Sequence, residues 1–299
     1  DLLGWLPPGG VTPETGVFAV VGRPARHSWS PRVHGMALKA EQLDAVYVAL
    51  EPETLEGLLA LSLDENFRGF SVTAPFKEEA YRLAASRDQA SQDARAANTL
   101  VREGKGWRAQ NTDVGAIGET LERAFALHAR RPDARCKELV GATVLVLGTG
   151  GAARAAIQAC SRKSARALVA GRRPEAAAAL AAQTGATQVA WDAIGETPWD
   201  ALVNCTPVGS LTDEGRSPIP LEALRPNTVV LDAVYRPLRT PLLVAARDLG
   251  CTAVPGAEWF VRQAEAQFAA LTGQEADAEL MRAAFDHALG AQRSEPSNR

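Results

Sequence analysis

The sequence predicts an α/β protein in which a largely parallel sheet is covered on both faces by helices, and three observations predict it. Short apolar segments alternate with helical patterns through the first half of the chain. A second such series opens on Ala142–Leu147 (ATVLVL), apolar and rich in β-branched residues, the composition of a central parallel strand. The length, 299 residues with 46% hydrophobic and 22% charged side chains, suits two ordinary domains with cores of their own.

The elements follow in order. Val17–Gly22 (VFAVVG) reads as a buried strand, and Ser30–Leu43 as a helix with Val33, Met36, Ala37 and Ala40 on one side. Strand Ala45–Leu50, helix Pro52–Leu63, strand Phe67–Thr73 and helix Pro75–Ala85 come next. Asn98–Arg102 and Trp107–Gln110 form a hairpin turning at Glu103-Gly104-Lys105-Gly106. A helix over Val114–His128 leads to the polar stretch Ala129–Glu138 (ARRPDARCKE), which reads as a loop between domains. After Ala142–Leu147 come a glycine turn at Gly148–Gly151 and an alanine-rich helix to about Lys163. Strand Arg166–Ala170, helix Pro174–Thr184 and strands Asp200–Asn204 and Thr228–Asp232 complete this series. The last ~40 residues are helical by pattern, with a break near Thr272-Gly273 and a polar tail, Gln292–Arg299, expected to be loose.

Composition removes several function classes. A net charge of −3 and a pI of about 5.9 leave no broad basic surface for nucleic-acid phosphates. No window approaches the ~18 uninterrupted apolar residues of a membrane span. The opening DLLGWLPPGG has neither the cationic flank nor the apolar stretch of a secretory signal. Cys136, Cys160, Cys205 and Cys251 are scattered without a CxxC pair, which points to reduced thiols and a cytoplasmic location. The four histidines form no HExxH and no Cys/His cluster, so no metal site is expected.

Chemistry enters with the glycine turn. In Gly148-x-Gly150-Gly151-Ala152-Ala153, the first glycine permits a tight turn and the second lets the backbone approach a pyrophosphate. Ala153 stands where helix and sheet pack closely, and the free N–H groups of the helix start hold phosphate. The alternative is an ordinary tight βα turn. About 20 residues on, where an NAD site places an acidic residue, the chain reads Ala170-Gly171-Arg172-Arg173. Two guanidiniums suit the 2′-phosphate of NADP through charge-assisted bonds, against the plainer reading of a solvated arginine pair.

Only five of the 32 basic residues are lysine, so each lysine is informative. Lys39, Lys105, Lys137 and Lys163 lie in a turn or in exposed patterns, whereas Lys77 falls in the first turn after a strand and Pro75. A cation there opposes the helix dipole, and partial burial acts in the same direction, so proton loss is favoured. Lysine can donate or accept a proton where arginine cannot. Pairing with Glu78 or Glu79 at the surface is the competing account. Asp113, just before the Val114 helix, is either an N-cap or a carboxylate partner for Lys77. Ser28 and Ser30 in His27-Ser28-Trp29-Ser30-Pro31 make either a capped helix, with Ser30 as N-cap and proline at N1, or a carboxylate pocket.

Together these residues resemble the shikimate dehydrogenase family from about Val17 to Leu289. The likeness runs through HSWSPRVHGMAL, GFSVTAPFKEEA, AANTL, NTDVGAI, LGTGGAARA, NCTPVGS, LDAVYRPLRTPLL and PGAEWFVRQA. It implies a split α/β catalytic domain with a mostly parallel sheet, residues 1–114 completed by C-terminal helices 257–299, plus a Rossmann-like NADP-binding domain, 115–256. It implies reversible NADPH-dependent reduction of 3-dehydroshikimate to shikimate, with Lys77 and Asp113 as the catalytic pair. Ser28, Ser30, Thr73, Asn98, Tyr235 and Gln263 match positions that hold the substrate. Gly148, Thr149, Gly150, Gly151, Ala152, Arg172, Arg173 and Gly256 match cofactor contacts, with Ala233 near the nicotinamide through its backbone. Members usually carry methionine where Ser210 and Trp259 stand, and often asparagine in place of Ser71 and Gly35; Trp259 falls close to the expected nicotinamide region. The leader resembles the junction in proteins that fuse a dehydroquinate dehydratase ahead of this module. Two other readings stand beside this one: an NAD-preferring quinate/shikimate dehydrogenase, and a regulatory protein that senses NADPH without turnover. A short-chain dehydrogenase is disfavoured because Tyr47, Tyr81 and Tyr235 lack a lysine four residues later.

Overall fold

The computed structural model describes residues 6–7, 9–62 and 66–294, with side chains as far as residue 290. The chain divides into two compact units, Asp1–Thr112 with Val261–Arg299, and Asp113–Phe260.

Apolar alternation builds the first unit. Its elements are β1 (Gly16–Val21), α1 (Ser30–Ala40), β2 (Ala45–Leu50), α2 (Leu55–Leu61), β3 (Phe67–Val72), α3 (Lys77–Leu83), β4 (Ser86–Arg87), α4 (Gln89–Ala94), β5 (Thr99–Glu103) and β6 (Gly106–Gln110). The sheet order is β2-β1-β3-β5-β6-β4. β1 runs parallel to both β2 and β3, in the register Ala19↔Val48 and Ala19↔Phe70. β5 and β6 close the predicted hairpin, where Gly104 takes a φ of 58° that suits glycine. One side of the sheet buries Ala19, Val21, Leu55, Phe70, Val72, Leu100 and Trp107 in a single cluster.

The second unit begins one residue into α5 (Thr112–His128). It continues through β7 (Thr143–Leu147), α6 (Gly151–Arg162), β8 (Arg166–Ala170), α7 (Pro174–Thr184), β9 (Thr187–Gln188), β10 (Ala201–Asn204), β11 (Val229–Asp232), α8 (Pro241–Asp248) and β12 (Thr252–Val254). It ends in the first turn of α9 (Gly256–Thr272), and α10 (Ala278–Ser294) follows in the first unit. All six strands are parallel, in the order β12-β11-β10-β7-β8-β9. Counted from β7, this is the doubly wound order 3-2-1-4-5-6 of dinucleotide-binding sheets, with its switch point between β7 and β10. Leu145, Leu147, Leu202, Val230 and Leu242 bury one face of it. The α/β class and the Rossmann-like second unit are therefore as the sequence predicts.

Several local expectations are corrected. α1 stops at Ala40, where Gln42 takes a φ of 53°. Ala40 is exposed, and the buried face is Val33, His34, Ala37 and Leu38. The predicted Pro52–Leu63 helix is shorter: Thr54 caps α2 by accepting from the Gly57 N–H at 3.1 Å, and the helix ends at Leu61. Pro75 lies outside α3, in a turn closed by the Phe76 N–H to the Thr73 carbonyl at 3.0 Å. The polar stretch 129–138 is a loop, but it joins α5 to β7 within the second unit rather than separating units. Of the tail, Gln292–Ser294 lies in α10, and residues 295–299 fall outside the described residues, as do Leu63 and residues 1–5 and 8 of the leader.

Phe70 is fully buried between β1 and β5. Phe70→Ala is expected to lower the unfolding free energy by about 3–5 kcal/mol, measured by urea denaturation, through lost burial and the cavity left behind.

Candidate active site

In the first unit, polar groups gather where β3, β5 and the last turn of the unit meet. Lys77 is the first residue of α3 and is half-buried. Its carbonyl accepts from the Ala97 N–H at 2.8 Å, which holds it beside the start of β5. Next in line is Asn98, 1% exposed. Its Nδ2 donates to Thr112 Oγ1 at 2.8 Å, and its Oδ1 accepts from the Thr112 N–H at 2.9 Å. Oδ1 also accepts from Thr99 Oγ1 at 3.0 Å, while Nδ2 makes a long 3.4 Å bond to Gln263 Oε1. Both donors and both acceptor positions of this amide are therefore engaged within the protein. Thr112 Oγ1 in turn donates to the Gln263 carbonyl at 3.2 Å. Asn98, Thr112 and Gln263 thus form one cluster, and Asp113 is the next residue after it. The Thr73 N–H donates to the Val21 carbonyl at 2.8 Å, which places half-buried Thr73 at the end of β3.

Ser28 and Ser30 come together, but not as a cap. α1 begins at Ser30, and its N-cap is Trp29 without a side-chain bond, so Ser30 is the first helical residue and Pro31 the second. The Ser30 N–H bonds to Ser28 Oγ at 3.2 Å, and Ser28 Oγ donates to Ser30 Oγ at 3.1 Å. Asp113 is likewise no N-cap, because α5 starts one residue earlier at Thr112. It is 3% exposed, and the Trp259 indole N–H donates to its Oδ1 at 3.1 Å.

A buried relay lies beyond the reach of the sequence reading. Tyr47 O–H donates to Ser71 Oγ, Ser71 Oγ donates to Gln267 Oε1 at 2.9 Å, and Gln267 Nε2 donates to the Asn98 carbonyl at 2.7 Å. His34 stacks on Tyr47 with centroids 4.5 Å apart, and burial pushes its pKa down to about 3, so it packs as a neutral ring. The sequence signal for this relay is the small residue Ser71.

The second unit places its glycine turn at the switch point. Gly148 has a φ of 113°, and a Cβ there would lie 3.3 Å from the Cys205 carbonyl, so the turn packs against the end of β10. Gly150 is exposed and a Cβ would meet nothing within 4 Å, which leaves open space before the N-terminus of α6. Thr149, Gly151 and Ala152 are partly exposed around it, and Ala153 is fully buried beneath. Arg172 and Arg173 are exposed at the end of β8, and neither forms an ion pair among the described residues. These features fit a phosphorylated dinucleotide: free helix N–H groups, open backbone and two uncommitted cations. At Gly256 a Cβ would sit 2.6 Å from the Ala233 carbonyl oxygen, so only glycine lets α9 start this close to the end of β11. Tyr235 stacks on Phe260 at 4.7 Å.

Beneath these loops is a second network that sequence reasoning missed. Asp232, fully buried, accepts from Asn204 Nδ2 at 2.9 Å, the Val234 N–H at 3.0 Å and Thr240 Oγ1 at 2.6 Å. Asn204 Oδ1 accepts from the N–H and hydroxyl of Thr206. Burial drives the Asp232 pKa up from 3.8 to about 6, against the three donors that pull it down. Its signal lies in the Asn, Asp and Thr of the segments NCTPVGS and LDAVYRPLRTPLL. All four cysteines are free thiols, no group of described residues could hold a metal ion, and no described helix is long and apolar enough to cross a membrane.

A doubly wound sheet that ends in a glycine turn at its switch point, with cations at the second strand, defines a dinucleotide-binding α/β protein. Comparison with known proteins narrows the class. Residues 20–100 match the family model for the shikimate dehydrogenase substrate binding domain. A shikimate dehydrogenase (NADP(+)) of Syntrophobacter fumaroxidans is 37% identical over 261 residues, covering 85% of this chain and 86% of the relative. A chloroplastic bifunctional 3-dehydroquinate dehydratase/shikimate dehydrogenase of Arabidopsis thaliana is 34% identical over 279 residues, covering 90% of this chain and 46% of that protein. The crystal structure of shikimate 5-dehydrogenase from Thermus thermophilus with NADP(H) and shikimate superposes with a TM-score of 0.79 at 32% identity, covering 91% of this chain and 99% of that one. The chain belongs to the shikimate dehydrogenase family.

Because the folded pKa of Asp232 lies above its unfolded value, the native state holds the extra proton between about pH 4 and 6. The stability this contributes is present below pH 4 and is lost as pH rises through 6, on the order of 2–3 kcal/mol in all. Asp232→Asn is expected to lack this component, seen as a flatter difference profile of unfolding midpoint against pH.

Proposed function

We propose that the chain catalyses the reversible NADPH-dependent reduction of 3-dehydroshikimate to shikimate, an oxidoreductase step at a CH–OH group in aromatic amino-acid biosynthesis. The observation that carries this reading is identity of more than a third to an NADP(+)-dependent shikimate dehydrogenase across most of both chains. The residues supply the chemistry. In this reading residues 1–114 with helices 257–299 bind the substrate, and residues 115–256 bind NADP.

The reduced nicotinamide, when bound, supplies the hydride that the protein cannot. The chain's own work is positioning and proton transfer. Lys77 donates the proton to the substrate oxygen in the reducing direction and takes it back in the other, with Asp113 orienting the ammonium. Ser28 and Ser30 receive the substrate carboxylate, since two hydroxyls beside a helix start favour an anion. Thr73, Asn98, Gln263 and Tyr235 receive the ring hydroxyls. For Asn98 this needs an exchange, because its amide is fully bonded. The 3.4 Å contact to Gln263 is the weakest of its bonds and the one a ligand hydroxyl replaces, which frees both amides at once.

Gly148, Thr149, Gly150, Gly151 and Ala152 hold the pyrophosphate, Arg172 and Arg173 the 2′-phosphate, and Gly256 with the Ala233 backbone the nicotinamide end. Free thiols suit a reducing compartment, and we place the activity in the cytoplasm. The Arabidopsis relative makes a dehydratase module in the same polypeptide the partner to seek in the full reading frame.

The deciding assay follows absorbance of the reduced nicotinamide with shikimate or quinate, each crossed with NADP+ and NAD+. Turnover is expected with shikimate and NADP+; turnover with quinate and NAD+ alone would replace this reading by a quinate dehydrogenase. Lys77→Met is expected to cut kcat by about 100-fold or more while sparing NADPH affinity measured by calorimetry. The double variant Arg172→Ala, Arg173→Ala is expected to weaken NADPH by about 10–100-fold and NADH little. Equal losses for both cofactors would remove the arginines from 2′-phosphate recognition.

A further inference from the structure

Asp113 is held by a residue that neither its helix nor its sequence neighbours provide. The Trp259 indole N–H reaches its Oδ1 at 3.1 Å, with Trp259 6% and Asp113 3% exposed. An indole nitrogen only donates, so the bond has one polarity and commits one carboxylate oxygen. In a dry setting such a bond to a charged group is stronger than its solvated counterpart. With Oδ1 committed and the carboxylate plane set, Oδ2 is presented in one direction.

The position of the indole is itself fixed. Trp259 stands three residues after Gly256, on the first turn of α9, and that turn abuts the Ala233 and Asp232 carbonyls so closely that a Cβ at 256 would collide with both. The register of α9 against β11 therefore decides where the indole N–H falls. Neither phenylalanine nor methionine at 259 could make this bond, because a phenyl ring and a thioether have no proton to donate.

We propose that Trp259 is a positioning residue of the reaction: it fixes the orientation of the Asp113 carboxylate. This rests on the reading of Asp113 as half of the catalytic pair. The test is a double-mutant cycle on the full chain. Trp259→Phe keeps the aromatic character and removes the donor, and Trp259→Met gives a second donor-free side chain should Phe fold poorly. Each is combined with Asp113→Asn, and kcat, KM for shikimate and NADPH affinity are measured.

Trp259→Phe and Trp259→Met are expected to lower kcat by about tenfold, with NADPH affinity within about twofold of the parent. In the Asp113→Asn background the same changes are expected to lose nothing further, because the group they orient is gone. An unchanged kcat, or a loss that multiplies undiminished onto Asp113→Asn, would overturn the proposal and leave Trp259 as packing. If Asp113→Asn alone left kcat unchanged, the role of Asp113 would fall first, and that outcome is separable from the others by the single variant.

Discussion

Everything about the first unit's polar face hangs on one amide. Asn98 grips Thr112 at two points, donating to its hydroxyl and accepting from its N–H. Thr112 opens α5, and the chain leaves the unit at the next residue, so the clamp sets the point of departure of a 17-residue helix. No other side chain of similar size can donate and accept at such close quarters: aspartate lacks the donor, and leucine lacks both. The backbone of the same residue accepts from the Val72 N–H and from Gln267, which ties β3 and α9 to the same point. A side chain this committed is also the proposed substrate ligand. The two roles are compatible only through its longest bond, so the ligand site and the scaffold share atoms.

The second unit solves a similar problem with a different centre. Its loops at the switch-point end leave the sheet after β7, β8, β10 and β11, and nothing in a parallel ladder fixes a loop once its strand has ended. Asp232 does so from below, with Asn204 from β10, Thr240 before α8 and its own following loop all donating to one carboxylate. Burial favours the protonated acid while the three donors favour the anion. The group is thus held near a balance, which is why its contribution depends on pH. Truncating it would leave three donors unsatisfied in a dry interior, a larger penalty than the network's net stabilising effect.

Legibility in the sequence follows the physics of each signal. α7, opened by Pro174, and the apolar strands β2 and β8 are readable to the residue because each rule is local, whereas Pro52 and Pro75 lie outside the helices that the sequence predicts them to open. The hairpin, the glycine turn and the arginines after β8 are equally plain. What is lost is short or side-chain-driven. α4 is six residues, four of them polar, held by the Asp88 cap, and β4, β9 and β12 are two or three residues long, too few for any period to show. Ser30 sits one position, and Asp113 two, from the expected cap place against their helices, which changes their local role though not their place in the fold. The loop at 129–138 looks like a boundary because it is charged. The division instead falls inside two regular helices, α5 and α9, where composition does not change.

Networks such as Tyr47–Ser71–Gln267 and Asn204–Asp232–Thr240 are illegible for a further reason. Each joins residues 24 to 196 positions apart, or 8 to 28, and each member alone reads as an ordinary polar residue on an apolar element. Their meaning is collective: a buried hydroxyl or amide is costly alone and cohesive when every partner is present. The same logic separates the lysine from the residues around it. Lys77 is visible because this chain uses arginine wherever charge alone is needed, so an exception in a helix's first turn stands out. Asn98, Asp232 and Gln267 have no such contrast. A proposed proton-transfer group can be picked out by its chemistry alone, whereas the groups that hold a site in shape are recognisable only once the fold has brought their partners to them.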